Sequence, residues 1–190
     1  YSINEEKIFN FEEDKFKFEL EKINKSPSRF DKNKLINTNS NFLKNADLNL
    51  LVSKISRTYN LSEKKFISKI LKLLPELVKR YKFLNEIEGD LYWLSDKDLP
   101  KNTNSPIDLK NTNNQKILHD ITMLLNSCDW ELNDIKTSIN NYINANNLMM
   151  KEVAPIIRLS ITGKLNTPDI YSILYILGKE VCLKRLKACL

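Results

Sequence analysis

The sequence predicts an all-α fold: two consecutive helical-bundle lobes, spanning 46–100 and 101–190, behind an N-terminal segment that ends near residue 45. Three observations predict it. Apolar residues recur at spacings of three and four along almost the whole chain, the period of a helix with one buried face. Runs that alternate apolar with polar residues, as a half-buried strand does, are almost absent. Only three glycines occur, Gly89, Gly163 and Gly178, and the last two stand between apolar stripes, where helices start and stop.

The elements follow in order. Residues 5–22 interleave Phe9, Phe11, Phe16 and Phe18 with charges, which fits a short helix or an extended arm. Ser26-Pro27-Ser28 breaks the chain, and Asp31 is placed to cap a helix through "DKNKL". Leu48, Leu51, Val52, Ile55 and Tyr59 mark a helix over 47–59. Ser62 caps the next one, whose stripe is Phe66, Ile67, Ile70, Leu71 and Leu74. Pro75 is expected to open a further helix at its first turn, with Leu77, Val78, Tyr81 and Leu84 facing in. The polar stretch 95–114 is the linker candidate. Beyond it come a helix over 109–127, with His119 beside its stripe, and one within "DWELNDIKTSINNYINAN", with Trp130 packing at its start. Two helices flank the bend of "PIIRLSITGKLNTPDIYSILYILGKEVCLKRL", residues 155–186, and a last helix covers 179–190. No repeat at a solenoid period occurs, so the lobes are stacks of helix pairs joined by short connections.

The 190 residues, 42% of them hydrophobic, are enough for one large or two small cores. The mean hydropathy of −0.41 is that of a soluble protein, and no apolar run nears the roughly 20 residues of a membrane span. Tyr1 and the acidic residues after it form neither a signal nor a transit peptide and point to an excised or processed fragment. Cys128, Cys182 and Cys189 form no CxxC pair, which implies reduced thiols and a cytoplasmic protein. With His119 the one histidine, no metal site is expected. The net charge of +6 is uneven: residues 151–190 hold seven basic and three acidic groups. That quarter either concentrates a polyanion or is a solvated lysine-rich face. The abundance of Asn, Lys and Ile reflects an AT-rich genome, so part of the lysine carries no message.

The bend, 162–167, is the most informative stretch. Thr167 and Pro168 suit the cap and first position of a helix, and Asp169 suits its positive end. Ile170, Ile173, Leu174 and Leu177 bury one face before Gly178 ends the helix. Gly163 permits a tight turn or the close approach of another backbone. Arg158, Lys164, Leu165 and Thr167 then surround a helix N-terminus, a receptor for an unstacked base and its phosphate. The plain alternative is a helical hairpin with an ordinary cap.

The same stretch resembles the C-terminal segment of bacterial-type glutamyl-tRNA synthetases, whose pattern P-x-x-R-x-x-x-T-G-x-x-x-x-P, L-G-K-E and R-L is matched by Pro155, Arg158, Thr162-Gly163, Pro168, 177–180 and Arg185-Leu186. "INKSPSRFDKNKLINTN" is similar to the family's K-S-x-x-x-F-D-x-x-K-L-x-W-L-N through Lys25-Ser26, Phe30-Asp31, Lys34-Leu35 and Asn39, with Asn37-Thr38 replacing Trp-Leu. The resemblance runs from about residue 20 to 190. It implies the C-terminal part of an enzyme that attaches glutamate to tRNA: residues 1–45 end its stem-contact region, and 46–100 and 101–190 are two helical anticodon-binding lobes. The catalytic motifs of H-I-G-H and K-M-S-K-S type are missing, and "KINKSPS" at 22–28 aligns better with the later pattern. The implied chain is therefore inactive alone and carries no cofactor, ATP and Mg belonging to the catalytic domain of the intact enzyme. The implied partner is tRNA(Glu), without a membrane and with the protein a monomer. In "VKRYKFL", Arg80 takes the place of an arginine that reads the last anticodon base and favours C over U, although Lys79 stands for the family's Glu. Arg158, Gly163, Lys164, Leu165, Thr167, Pro168 and Ile170 are implied to hold the other two bases, and Ser26, Asp31 and Lys34 to meet the stem. A helical protein-interaction module without nucleic acid is the rival reading.

Overall fold

The computed structural model describes residues 29–58, 64–94 and 105–190. The described residues are helical, without a strand. The elements are α1 (Lys32–Asn45), α2 (Leu48–Thr58), α3 (Lys64–Arg80), α4 (Leu84–Asp90), a 3-10 turn (Leu91–Leu94), α5 (Thr112–Ser127), α6 (Leu132–Ala145), α7 (Met150–Thr162), α8 (Ile170–Leu177) and α9 (Lys179–Lys187). The arm over 5–22 and Ser62 lie outside the described residues. Among the described residues, no helix is long and apolar enough to cross a membrane.

Local chemistry sets the helix ends. Asp31 accepts from the backbone N–H of Asn33 and Lys34, at 2.8 and 3.1 Å, and so starts α1 as expected. Glu86 accepts from the N–H groups of Lys82 and Phe83, at 2.9 and 3.1 Å, just before α4. Glu152 accepts from Met149 N–H at 2.7 Å and starts α7 at Met150, ahead of the Pro155 stretch. Gly163 closes α7 at φ 72°, a left-handed conformation that would strain any residue with a Cβ.

Pro75 does not open a helix; it lies inside α3, which runs unbroken to Arg80. An interior proline costs about 3 kcal/mol. Leu73, Leu74, Leu77 and Val78 around it are all buried. Each such side chain contributes about 1.5–3 kcal/mol on burial, so one continuous apolar face outweighs the lost hydrogen bond. Tyr81 and Leu84, expected on the same helix, fall after its end and at the start of α4.

Most of the buried apolar residues among those described form one contiguous cluster that runs from Leu43 on α1 to Leu186 on α9. Helix α3 packs on α1, α2 and α8, and α9 packs on α5, α7 and α8. Trp130, ahead of α6, donates its indole N–H to Leu174 O at 3.2 Å. His119 is exposed beside the buried stripe of α5, facing Asp120 at 3.5 Å. The α3–α8 contact brings the end of α3 against the bend between α7 and α8.

Candidate functional site

The bend connects α7 to α8 through Gly163–Asp169. Its shape is fixed from three directions. Arg80, at the last position of α3, donates through Nη1 to Thr167 O at 2.6 Å and through Nη2 to the side-chain oxygen of Asn166. Lys164 forms an ion pair with Asp90 at the end of α4, and Tyr81 donates its phenol proton to the other carboxylate oxygen of Asp90. Tyr92 donates to Thr162 O at 3.0 Å. Beneath the bend, Arg185 is buried and donates from Nη1 to Ile161 O and Trp93 O, at 2.6 and 2.7 Å.

Burial divides the predicted site residues and their neighbours into three groups. Gly163, Thr167, Pro168 and Ile170 are buried, as is Thr162. Arg158, Lys164 and Leu165 are half-buried, and Arg80, Asn166 and Asp169 are exposed. The outward face of the bend is therefore made by 164–166, with Arg80 beside it. A cleft of about 450 Å³ lies there, lined by Tyr81, Asp90, Ser105, Lys164, Leu165 and Asn166.

The helix tip differs from the expectation. Asp169, not Thr167, caps α8: its carboxylate accepts from Ser172 N–H at 3.0 Å, and Pro168 precedes the helix. Thr167 instead turns its hydroxyl to Pro168 O at 3.3 Å. Asp169 N–H points at Glu76 of α3, at 3.4 Å. Two carboxylates thus sit at the positive end of α8, where they are favourable, and they leave less of that end for a phosphate than the sequence implied.

Arg158 is half-buried, and its Nε is buried without an acceptor among the described residues. No carboxylate among the described residues pairs with it. A buried guanidinium N–H left unsatisfied costs about 1–3 kcal/mol, and Ser56 Oγ and Trp93 Nε1 are buried without a partner in the same way. Of the residues assigned to a stem contact, Ser26 lies outside the described residues, Asp31 spends its carboxylate on the α1 cap, and Lys34 is exposed. Asn39, from the same motif, donates to Lys82 O in the turn after α3.

Sequence reasoning missed Asp90, Tyr81, Tyr92 and Asn166. Asp90 and Lys164 are 74 residues apart, so no local pattern links them. Asn166 lay inside the quoted bend and was legible as a polar side chain there. The phenols of Tyr81 and Tyr92 are both raised above the usual tyrosine range, by burial first and then by Asp90. Each therefore stays a neutral donor across ordinary pH.

A family model described as an anticodon binding domain matches residues 34–190. The chain belongs to that family. Similar curated proteins include "Glutamate--tRNA ligase 2" of Wolbachia pipientis subsp. Culex pipiens, 31% identical over 90% of this chain and 38% of that protein. "Glutamate--tRNA ligase 2" of Parvibaculum lavamentivorans is 29% identical over 98% of this chain and 39% of that protein. This anticodon-binding domain thus spans about two-fifths of the length of such relatives. A crystal structure of a glutamate tRNA ligase from Elizabethkingia meningosepticum in complex with its amino acid superposes with a TM-score of 0.74 at 23% identity, over 90% of this chain and 34% of that one. Glutamate-tRNA synthetase from Elizabethkingia anophelis gives a TM-score of 0.68. These superpositions establish the shared helical fold.

Proposed function

We propose that this anticodon-binding domain grips the anticodon loop of tRNA(Glu) as the C-terminal part of a glutamate–tRNA ligase. Ligation of glutamate, with ATP and Mg, belongs to a catalytic part of the intact enzyme, and the chain alone binds without catalysing. In this reading the protein works in the cytoplasm, as a monomer. Arg158 is the observation that carries it: a half-buried guanidinium beside the bend holds an unsatisfied N–H. Unstacked bases and their phosphates are acceptors for the exposed part of that guanidinium, while Leu165 and Asn166 offer apolar and amide contacts at the cleft. Arg80 lies at the same rim and offers a further base the guanidinium donors that its two bonds to the bend leave over.

Binding of the 190-residue chain to a tRNA(Glu) anticodon stem-loop tests the reading. The logarithm of affinity should fall linearly with the logarithm of salt, and changing one anticodon base should cost about 1–3 kcal/mol. Arg158→Ala should weaken binding at least about tenfold by removing a charged donor. Unchanged affinity and salt slope in that variant would take Arg158 out of the site.

The exposed side chains Phe30, Leu35 and Phe42 favour contact with protein at α1. A pull-down yielding protein and no RNA would displace the tRNA reading.

A further inference from the structure

Asp90 is 4% exposed and ends the short helix α4. Its two carboxylate oxygens have different partners: Lys164 takes Oδ1 and Tyr81 takes Oδ2. The Lys164 ammonium also stands 5.0 Å from the centre of the Tyr92 ring. The backbone of the same residue is held as well, its N–H donating to Thr162 Oγ1 at 3.1 Å. Arg80 fixes the far end of the bend at Asn166 and Thr167. Leu165 and Asn166, which face the cleft, are therefore strung between two anchors that both come from the α3–α4 side.

An ammonium whose charge is already matched by a buried carboxylate differs from an ordinary surface lysine. It displaces few condensed counterions from RNA, so it adds little to sequence-independent affinity. What it supplies is geometry, because a buried, hydrogen-bonded pair holds a loop in one arrangement before the ligand arrives.

We propose that Asp90 is a positioning residue for base reading, holding Lys164 as an internally neutralised tether that orients Leu165 and Asn166 rather than as a contact to phosphate. The inference rests on the tRNA reading above and deepens it. It is tested with Asp90→Asn and Lys164→Met, each checked for folding by circular dichroism and thermal melting. The probes are the tRNA(Glu) anticodon stem-loop and the same RNA with one anticodon base changed, titrated at several salt concentrations.

Both variants should shrink the ratio of the two affinities at least about fivefold, the lower end of what one base contact discriminates. Asp90→Asn frees the ammonium and should steepen the salt slope by about 0.7, one phosphate on a single strand, whereas Lys164→Met should leave it unchanged. A ratio within about twofold of the wild type in the folded variants overturns the tether. So does a shallower slope in Lys164→Met, which would show the lysine already on phosphate. If Asp90→Asn does not fold, Lys164→Met decides alone, since that side chain is one-third exposed. A wild-type chain that binds neither RNA overturns the tRNA reading and the tether with it, whereas variants that discriminate like the wild type overturn only the tether.

Discussion

Helices α1 and α8 carry the two stretches that tie this chain to its family, yet they sit in the fold in contrary ways. Of the 14 residues of α1 only Leu43 is buried. Just before it Phe30 is 74% exposed, and along it Leu35 and Phe42 are about half exposed. Helix α8 has 8 residues, and Ile170, Ile173, Leu174 and Leu177 are all buried. The two stretches therefore place their apolar residues in opposite environments. On α8 the apolar positions fill the core that holds the bend. On α1 they are displayed.

Truncating one large apolar side chain in each region breaks this comparison most directly. Leu174→Ala should destabilise the chain by about 2–5 kcal/mol, because a fully buried leucine leaves a cavity that the neighbours fill poorly. Phe42→Ala should change stability by no more than about 0.5 kcal/mol, as for surface substitutions elsewhere. Denaturant titration with a common slope measures both. Equal losses in the two variants would show that α1 is covered in solution and would end the contrast.

The caps allow a finer test, since the chemistry is the same and only the place differs. Asp31 and Asp169 each accept backbone N–H bonds at a helix start, and both are exposed. Replacing either by alanine should cost about 1 kcal/mol of helix stability. For Asp169→Ala that loss should appear in global unfolding, because α8 belongs to the core. For Asp31→Ala it should appear as faster amide exchange confined to α1, with the global midpoint almost unmoved. A global loss from Asp31→Ala as large as from Asp169→Ala would contradict the assignment.

Much of this was legible in the sequence, and the failures share a cause. Helix content, the Asp31 cap, the end of α7 at Gly163 and the end of α8 at Gly178 follow from spacing and backbone chemistry within one or two turns. Pro75 misled because local preference favoured a helix start, while the four apolar residues around it stabilise a continuous helix more than the proline disrupts it. Thr167 misled because Asp169, two residues on, is the better acceptor for the first turn of α8. The Asp90–Lys164 and Arg80–Thr167 links lay beyond local reading altogether, since each joins residues more than 70 positions apart. The site was therefore readable as a bend with cations near it, but not as a bend held from α3 and α4.

Alkali offers the most delicate test, on the helix α6 that packs against α8. Residues 29–58 contain no tyrosine, whereas Tyr81, Tyr92, Tyr142 and Tyr171 all have phenols raised above the ordinary value. Tyr142 is pushed up to about 12, by burial first and then by the hydrogen bond to Asp120 and the charge of that carboxylate. An unfolded chain releases this proton near pH 10, so between about pH 10 and 12 the unfolded state has lost a proton that the folded state keeps. The stability contributed by the neutral phenol is whole below about pH 10 and disappears as pH rises toward 12. Tyr142→Phe has no proton to lose, so its stability should decline less steeply across that window, by up to one proton's linkage. At about pH 8 the variant should differ from the wild type by only about 1 kcal/mol, the net worth of the lost hydrogen bond. Denaturant midpoints at about pH 8 and about pH 11 measure both quantities. Parallel pH curves for the two proteins would show that Tyr142 ionises as freely in the fold as outside it.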